Sequence, residues 1–232
     1  MSSITSRKKK NKFGLGNEFQ IKEIQPLTDG QKDTFEAYKE DFNLVLTGCA
    51  GTGKTYISMA LALKDVLAGL YTKLLIIRST VPTRELGFLP GTPEEKVKVY
   101  ETPYSEICSD LFGNSASYNM LKDKGAIDFC STSFLRGNNL RNCIILVDEI
   151  QNMNFQELDT VITRVCNDSK IIFCGDIAQT DLNSKNDKSG IKSFVSILES
   201  MDEFDFVEFG VEDIVRSGLV KNYLIKKYNL GI

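Results

Sequence analysis

Residues 48–55 read Gly48-Cys49-Ala50-Gly51-Thr52-Gly53-Lys54-Thr55, the G-x-x-x-x-G-K-[ST] spacing of a phosphate-binding loop. Glycines let a backbone curl until its N–H groups face inward around phosphate oxygens. A helix starting at the loop aims its positive end at the same charge. Lys54 can reach the β and γ phosphates of a nucleotide such as ATP, and the Thr55 hydroxyl can serve Mg²⁺. A second group stands almost a hundred residues on, where the apolar run 144–147 ends in Asp148-Glu149. Charge at the mouth of a buried strand costs desolvation. A metal supplies a reason for it: Asp148 would hold Mg²⁺, directly or through water, and Glu149 would act as base or orienter for an attacking water. The plainer reading is an acidic turn facing solvent after a core strand.

Gly175-Asp176-Ile177-Ala178-Gln179 forms a third group. Gln179 is the candidate for touching the γ-phosphate or the water, and Asp176 for sensing Mg²⁺ or anchoring the loop. Gln31 precedes the first strand, and its amide offers the donor and acceptor that suit an adenine edge. Arg216 follows the last strand and could neutralise developing phosphoryl charge. Both have ordinary surface roles as alternatives. Arg78, Arg84, Arg136 and Arg141 could hold an anion or a nucleic-acid backbone. Tyr100, Tyr104 and Tyr118 could stack on bases or fill a core.

These groups need elements to bring them together. Short apolar runs at 43–48, 72–77, 126–130, 142–147, 170–175 and 204–209 read as buried strands. Helical patterns cover 31–41, 55–68, 155–166, 190–201 and 219–228. The stretch 94–124 reads as a helical insertion broken by Pro103 and Gly113, and the polar 181–190 as a mobile loop. Strands alternating with helices predict an α/β fold, a mostly parallel sheet covered on both faces. The loop, the carboxylates and the glutamine would then share one crevice at the carboxyl edge of the sheet.

Composition narrows the chemistry. The 232 residues suffice for one large domain. A formal charge of -3 excludes a wholesale basic nucleic-acid clamp. The chain has no histidine, which removes imidazole acid–base chemistry and His-dependent zinc. None of the six cysteines forms a C-x-x-C pair, so structural zinc is not expected; in a chain of this size a disulfide framework is not expected either, and a reducing cytoplasm is. No apolar run is long enough for a membrane span, and the N-terminus lacks a signal-peptide core. Arg7, Lys8, Lys9, Lys10 and Lys12 stand without an acid among them. Residues 1–18 therefore read as a flexible basic tail, a nucleic-acid contact or a solvated terminus, ahead of a single domain over 19–232.

Together, GCAGTGKT, LGFLPGTPEEKV (86–97), FLRGNNLRNCIILVDEIQN (134–152), GDIAQTDL (175–182) and EDIVRSGLVKNY (212–223) resemble the PhoH family of P-loop ATPases. The resemblance covers about residues 20–228, and LGFLPG followed by EEK is its most specific part. It implies a RecA-like core similar to that of superfamily 1 helicases, Mg²⁺-dependent ATP hydrolysis and a link to RNA metabolism. Many viruses of bacteria carry a short member. The resemblance assigns Lys54 and Thr55 to the P-loop, and Asp148 and Glu149 to the carboxylate pair. Gln151 falls on the last position of a DEAQ-like motif, here DEIQ. Gln179 matches the third-motif glutamine and Arg216 the arginine of DIVR. Ser217 stands where the family usually has histidine. A fused nuclease is not implied. One RecA-like domain cannot open and close against a second, so helicase-like work on RNA or single-stranded DNA implies a homo-oligomer, a hexameric ring for instance, with Arg216 reaching a neighbouring site. A nucleoside kinase and a nucleotide-gated module without turnover stand as alternatives.

Overall fold

The structure is a computed structural model that describes residues 18–79, 93–132, 135, 139–177 and 185–230. The basic tail, LGFLPG, Arg84, Arg136 and Gln179 lie outside them.

Six strands form one sheet in the order β3-β2-β4-β5-β1-β6. They are β1 (Asn43–Gly48), β2 (Lys73–Arg78), β3 (Ile127–Ser131), β4 (Cys143–Val147), β5 (Lys170–Cys174) and β6 (Phe204–Phe209). Every pairing is parallel, so all six carboxyl ends lie along one edge. Alternate residues of each strand enter different cores. Leu44 and Leu46 pack with Met59, Leu63 and Ile76 on one face. Val45 packs with Ile77, Val147 and Phe173 on the other. Burial on both faces is why these strands read as unbroken apolar runs.

The helices are α1 (Asp29–Lys39), α2 (Lys54–Leu67), α3 (Pro93–Phe112), α4 (Ser117–Asp123), α5 (Phe155–Ile162), α6 (Lys185–Glu199) and α7 (Gly218–Asn229). Three depart from expectation. α3 runs through Pro103 without breaking. Its buried stripe of Tyr104, Cys108 and Leu111 fastens the helix across the missing N–H, and it ends at Gly113, where φ is +65°. α5 stops at Ile162, not 166, because the following residues bond to Leu140 instead. The Leu140 N–H donates to the Arg164 carbonyl at 2.9 Å, and the Leu140 carbonyl accepts from the Cys166 N–H at 3.0 Å. α6 begins at Lys185, so the second half of the expected 181–190 loop is helical. Gly190, where the expected loop meets the expected helix 190–201, lies inside α6, and a Cβ there would sit 3.0 Å from Phe155 Cβ. The glycine lets α6 approach α5.

Among the described residues, no helix is long and apolar enough to cross a membrane.

Candidate functional site

β1 ends at Gly48 with φ +105°. A Cβ there would run into the Phe209 backbone, 2.8 Å from its nitrogen and closer still to its oxygen. Gly51 and Gly53 also hold positive φ, +78° and +88°. The loop curls between them and delivers the chain to α2, whose N-cap Gly53 makes no side-chain cap bond. The first turn of α2 thus turns its N–H groups toward the loop's interior. Lys54 lies along the loop: its Nζ donates to the carbonyls of Gly48 (2.8 Å) and Cys49 (2.7 Å) and to Thr52 Oγ1 (3.3 Å). Burial lowers the pKa of this ammonium.

Asp148 follows β4 and is 5% exposed. Thr55 Oγ1 donates to its Oδ1 at 2.9 Å, and Tyr104 Oη donates to its Oδ2 at 2.9 Å. Burial, then repulsion from Glu149, pushes the Asp148 carboxyl up to about 6. Glu149 holds φ +56° and ψ +45°, left-handed backbone that costs a non-glycine residue about 1–2 kcal/mol. The turn passes straight into a short 3₁₀ helix, Ile150–Asn152. Gln151 Nε2 donates to Glu149 Oε2, and Gln151 Oε1 accepts the Asp176 N–H at 3.0 Å. Gln151 therefore joins the ends of β4 and β5. Gly175 makes room for it, since a Cβ there would lie 2.5 Å from Gln151 Oε1.

The third wall comes from α1 and the segment after β6. Gln31 is 4% exposed. Its Oε1 accepts the Leu27 N–H at 2.8 Å, and its Nε2 donates to the Thr52 carbonyl at 3.0 Å. The amide commits its oxygen and one hydrogen to the chain, so it braces the phosphate loop rather than offering a free donor–acceptor edge. Asp213 ties the same region together, accepting the N–H of Gly30 at 3.1 Å and of Gly210 at 2.9 Å. Val215 N–H donates to the Gly51 carbonyl at 3.1 Å. A Cβ on Gly51 would lie 2.8 Å from Arg216 Cγ. Arg216 thus lies over the phosphate loop of its own chain.

A cavity of about 1190 Å³ collects these groups. Its lining includes Gln31, Ala50–Thr55, Arg78, Asp148, Glu149, Gln151, Asp176 and Arg216. Gly48 and Cys49 shape the loop from beneath it. Arg141 is exposed just before β4, at the opposite edge of the sheet from Arg78, so the two do not form one patch. Tyr104 and Tyr118 are core residues, 0% and 2% exposed. The hydroxyl of Tyr104 nonetheless belongs to the site, which its apolar-stripe spacing hid. The donor set suits a nucleotide with a divalent cation: inward N–H groups and Lys54 for phosphate, and a hydroxyl and a carboxylate in contact for the ion.

The chain is similar to known proteins over most of its length. The family model described as PhoH-like protein matches residues 23–229. A PhoH-like protein of Mycobacterium leprae is 34% identical over 200 residues, 86% of this chain and 57% of that protein. One from Bacillus subtilis is 32% identical over 209 residues, 90% of this chain and 65% of that protein. Protein PhoH of Escherichia coli is 31% identical over 180 residues, 77% of this chain and 51% of that protein. The chain therefore spans roughly half to two thirds of the length of these relatives. Among solved structures, a Pif1 helicase from Bacteroides in complex with ADP-AlF3 and ssDNA aligns at TM-score 0.46 and 15% identity, covering 90% of this chain and 48% of that one. With the family model matching nearly the whole described chain, phosphate loop and carboxylate pair included, the chain belongs to the PhoH-like protein family.

Proposed function

We propose that the chain hydrolyses ATP to ADP and phosphate with Mg²⁺, and couples the reaction to single-stranded nucleic acid. The observation that carries this reading is the direct contact of Thr55 with Asp148 at 2.9 Å, beside Glu149 and Lys54 in one cavity. Thr55 and Asp148 would hold the Mg²⁺, which offsets the negative charge of the phosphate oxygens. Lys54, whose Nζ rests on loop carbonyls, would exchange them for β and γ phosphate oxygens. Glu149 takes a proton from the attacking water as its oxygen bonds to the γ-phosphorus and the bond to the ADP oxygen breaks. Gln151 aims Glu149 by donating to its carboxylate. Gln179 is the proposed contact to the γ-phosphate or the water. Arg216 stabilises developing charge from within its own chain, given its place over Gly51.

RNA or single-stranded DNA is the proposed partner, and a homo-oligomeric ring, a hexamer for instance, the proposed working state. The test is phosphate release from ATP with Mg²⁺, with and without each polymer, at one fixed low salt concentration. Stimulation by one polymer supports the coupling and names the partner. Unstimulated release limits the function to hydrolysis. Phosphate transfer to a nucleoside, or binding without release, would replace the reading with a kinase or a gated module.

A further inference from the structure

The connection between β2 and β3 carries α3, whose Pro103, Glu106, Ile107 and Asp110 line the cavity and whose Tyr104 reaches the Asp148 carboxylate from the core side. Tyr104, Cys108 and Leu111 are each 0% exposed and share a face at i, i+4, i+7 spacing. Cys108 and Leu111 only fill the core. The Tyr104 ring packs with Phe129, 5.9 Å between centroids, but its hydroxyl donates to Asp148 Oδ2 at 2.9 Å. Arg78 lies beside that hydroxyl, and its guanidinium lies 5.8 Å from the Tyr100 ring centre. The Tyr104 phenol on α3 therefore stands between Arg78 at the end of β2 and the carboxylate at the end of β4.

Asp148 is held by one donor per oxygen, from opposite sides. Thr55 of α2 holds Oδ1, and Tyr104 of α3 holds Oδ2. Two such bonds fix the rotation of the carboxylate plane. Each oxygen keeps a second lone pair for another partner.

We propose that Tyr104 is a positioning residue for divalent-cation binding, so that α3 orients the metal carboxylate as well as covering the sheet. The inference rests on the reading of Thr55 and Asp148 as the pair that holds the ion. Without the hydroxyl, the Asp148 carboxylate keeps, among the described residues, the Thr55 bond alone. Its Oδ2 turns freely, and that freedom must be lost when a cation binds. Partners one shell out from a metal typically set its affinity by an order of magnitude or more.

The test uses Tyr104→Phe, which keeps the ring and removes one oxygen. Mn²⁺, a paramagnetic substitute for Mg²⁺, is titrated into the ADP-saturated protein and followed by loss of the free-ion EPR signal. ADP affinity in EDTA is measured alongside. The expected result is a Mn²⁺ dissociation constant raised about tenfold, with metal-free ADP affinity unchanged. Cys108→Ala, which opens the same core face, should lower the unfolding midpoint and leave the Mn²⁺ constant alone. Wild-type Mn²⁺ affinity in Tyr104→Phe overturns the proposal. So does an equal loss in Cys108→Ala, or a matching fall in metal-free ADP affinity, because either is what a packing role produces. Absence of Mn²⁺ binding by the wild-type ADP complex is a different result: it removes the reading of Thr55 and Asp148, and the proposal with it.

Discussion

Asp148→Asn should make the metal-free protein more stable at neutral pH while removing its hold on the ion. The Asp148 carboxyl is buried and lies at about 6, above the ordinary aspartate value of 3.8. A carboxyl raised in the folded state binds protons more tightly there than in the unfolded chain. The contribution of Asp148 to stability is therefore most favourable below pH 4 and falls as pH rises to about 6, by about 3 kcal/mol across that span. Above it the loss is complete and constant. Asparagine has no charge to bury and removes that cost. It also turns one acceptor into a donor facing the Thr55 or Tyr104 hydroxyl, which costs about 1 kcal/mol. The net gain is about 2 kcal/mol above pH 6, or about 4–8 °C in unfolding midpoint for a chain of this size. Near pH 4 the variant should be slightly the less stable of the two. Urea unfolding in EDTA from pH 4 to 8 reads the difference directly. A variant less stable than wild type at pH 8, or a difference that does not change with pH, would refute the claim that Asp148 is a charge held at a cost in stability.

Three further outcomes follow from the geometry. Gly48→Ala should cost at least ~3 kcal/mol in urea unfolding, because its Cβ meets the Phe209 backbone at φ +105°. Gly113→Ala, at φ +65° with nothing within 4 Å, should cost only about 1 kcal/mol and serves as the control. Glu149→Gln should bind ATP as wild type does in equilibrium binding and lose hydrolysis on the order of 100-fold or more in phosphate release. Arg216→Ala mixed with Lys54→Ala should recover no phosphate release, since each arginine lies on its own chain's loop; recovery in the mixture would mean that the arginine serves a neighbour.

The sheet was legible because its strands are buried on both faces. NLVLTG and KIIFCG had no polar alternation to confuse them, and the observed β1 and β5 fall on them to within a residue. The loop and the carboxylate pair were legible as local strings at strand ends, and parallel pairing places both on one edge. What failed depended on packing at a distance. Pro103 read as a breaker, but the buried stripe ending at Leu111 keeps it inside α3, and 185–189 read as loop although α6 begins at Lys185. Residues 163–166 fit a helical period, but Leu140 takes the Arg164 carbonyl and the Cys166 N–H out of the helical ladder. Arg141 looked like a companion to Arg78 because both flank strands, and strand direction separates them. Tyr104 was read as base-stacking or core. Only the fold shows that a core tyrosine can send its hydroxyl 44 residues away to Asp148.

The most direct test of the account compares Mg²⁺-dependent phosphate release from ATP by the wild type and by Lys54→Ala, purified identically. The account predicts steady release by the wild type that stops when Mg²⁺ is chelated. It also predicts release at the background level for Lys54→Ala. Equal release by the two proteins, or no release by a wild type that binds ATP, would contradict it.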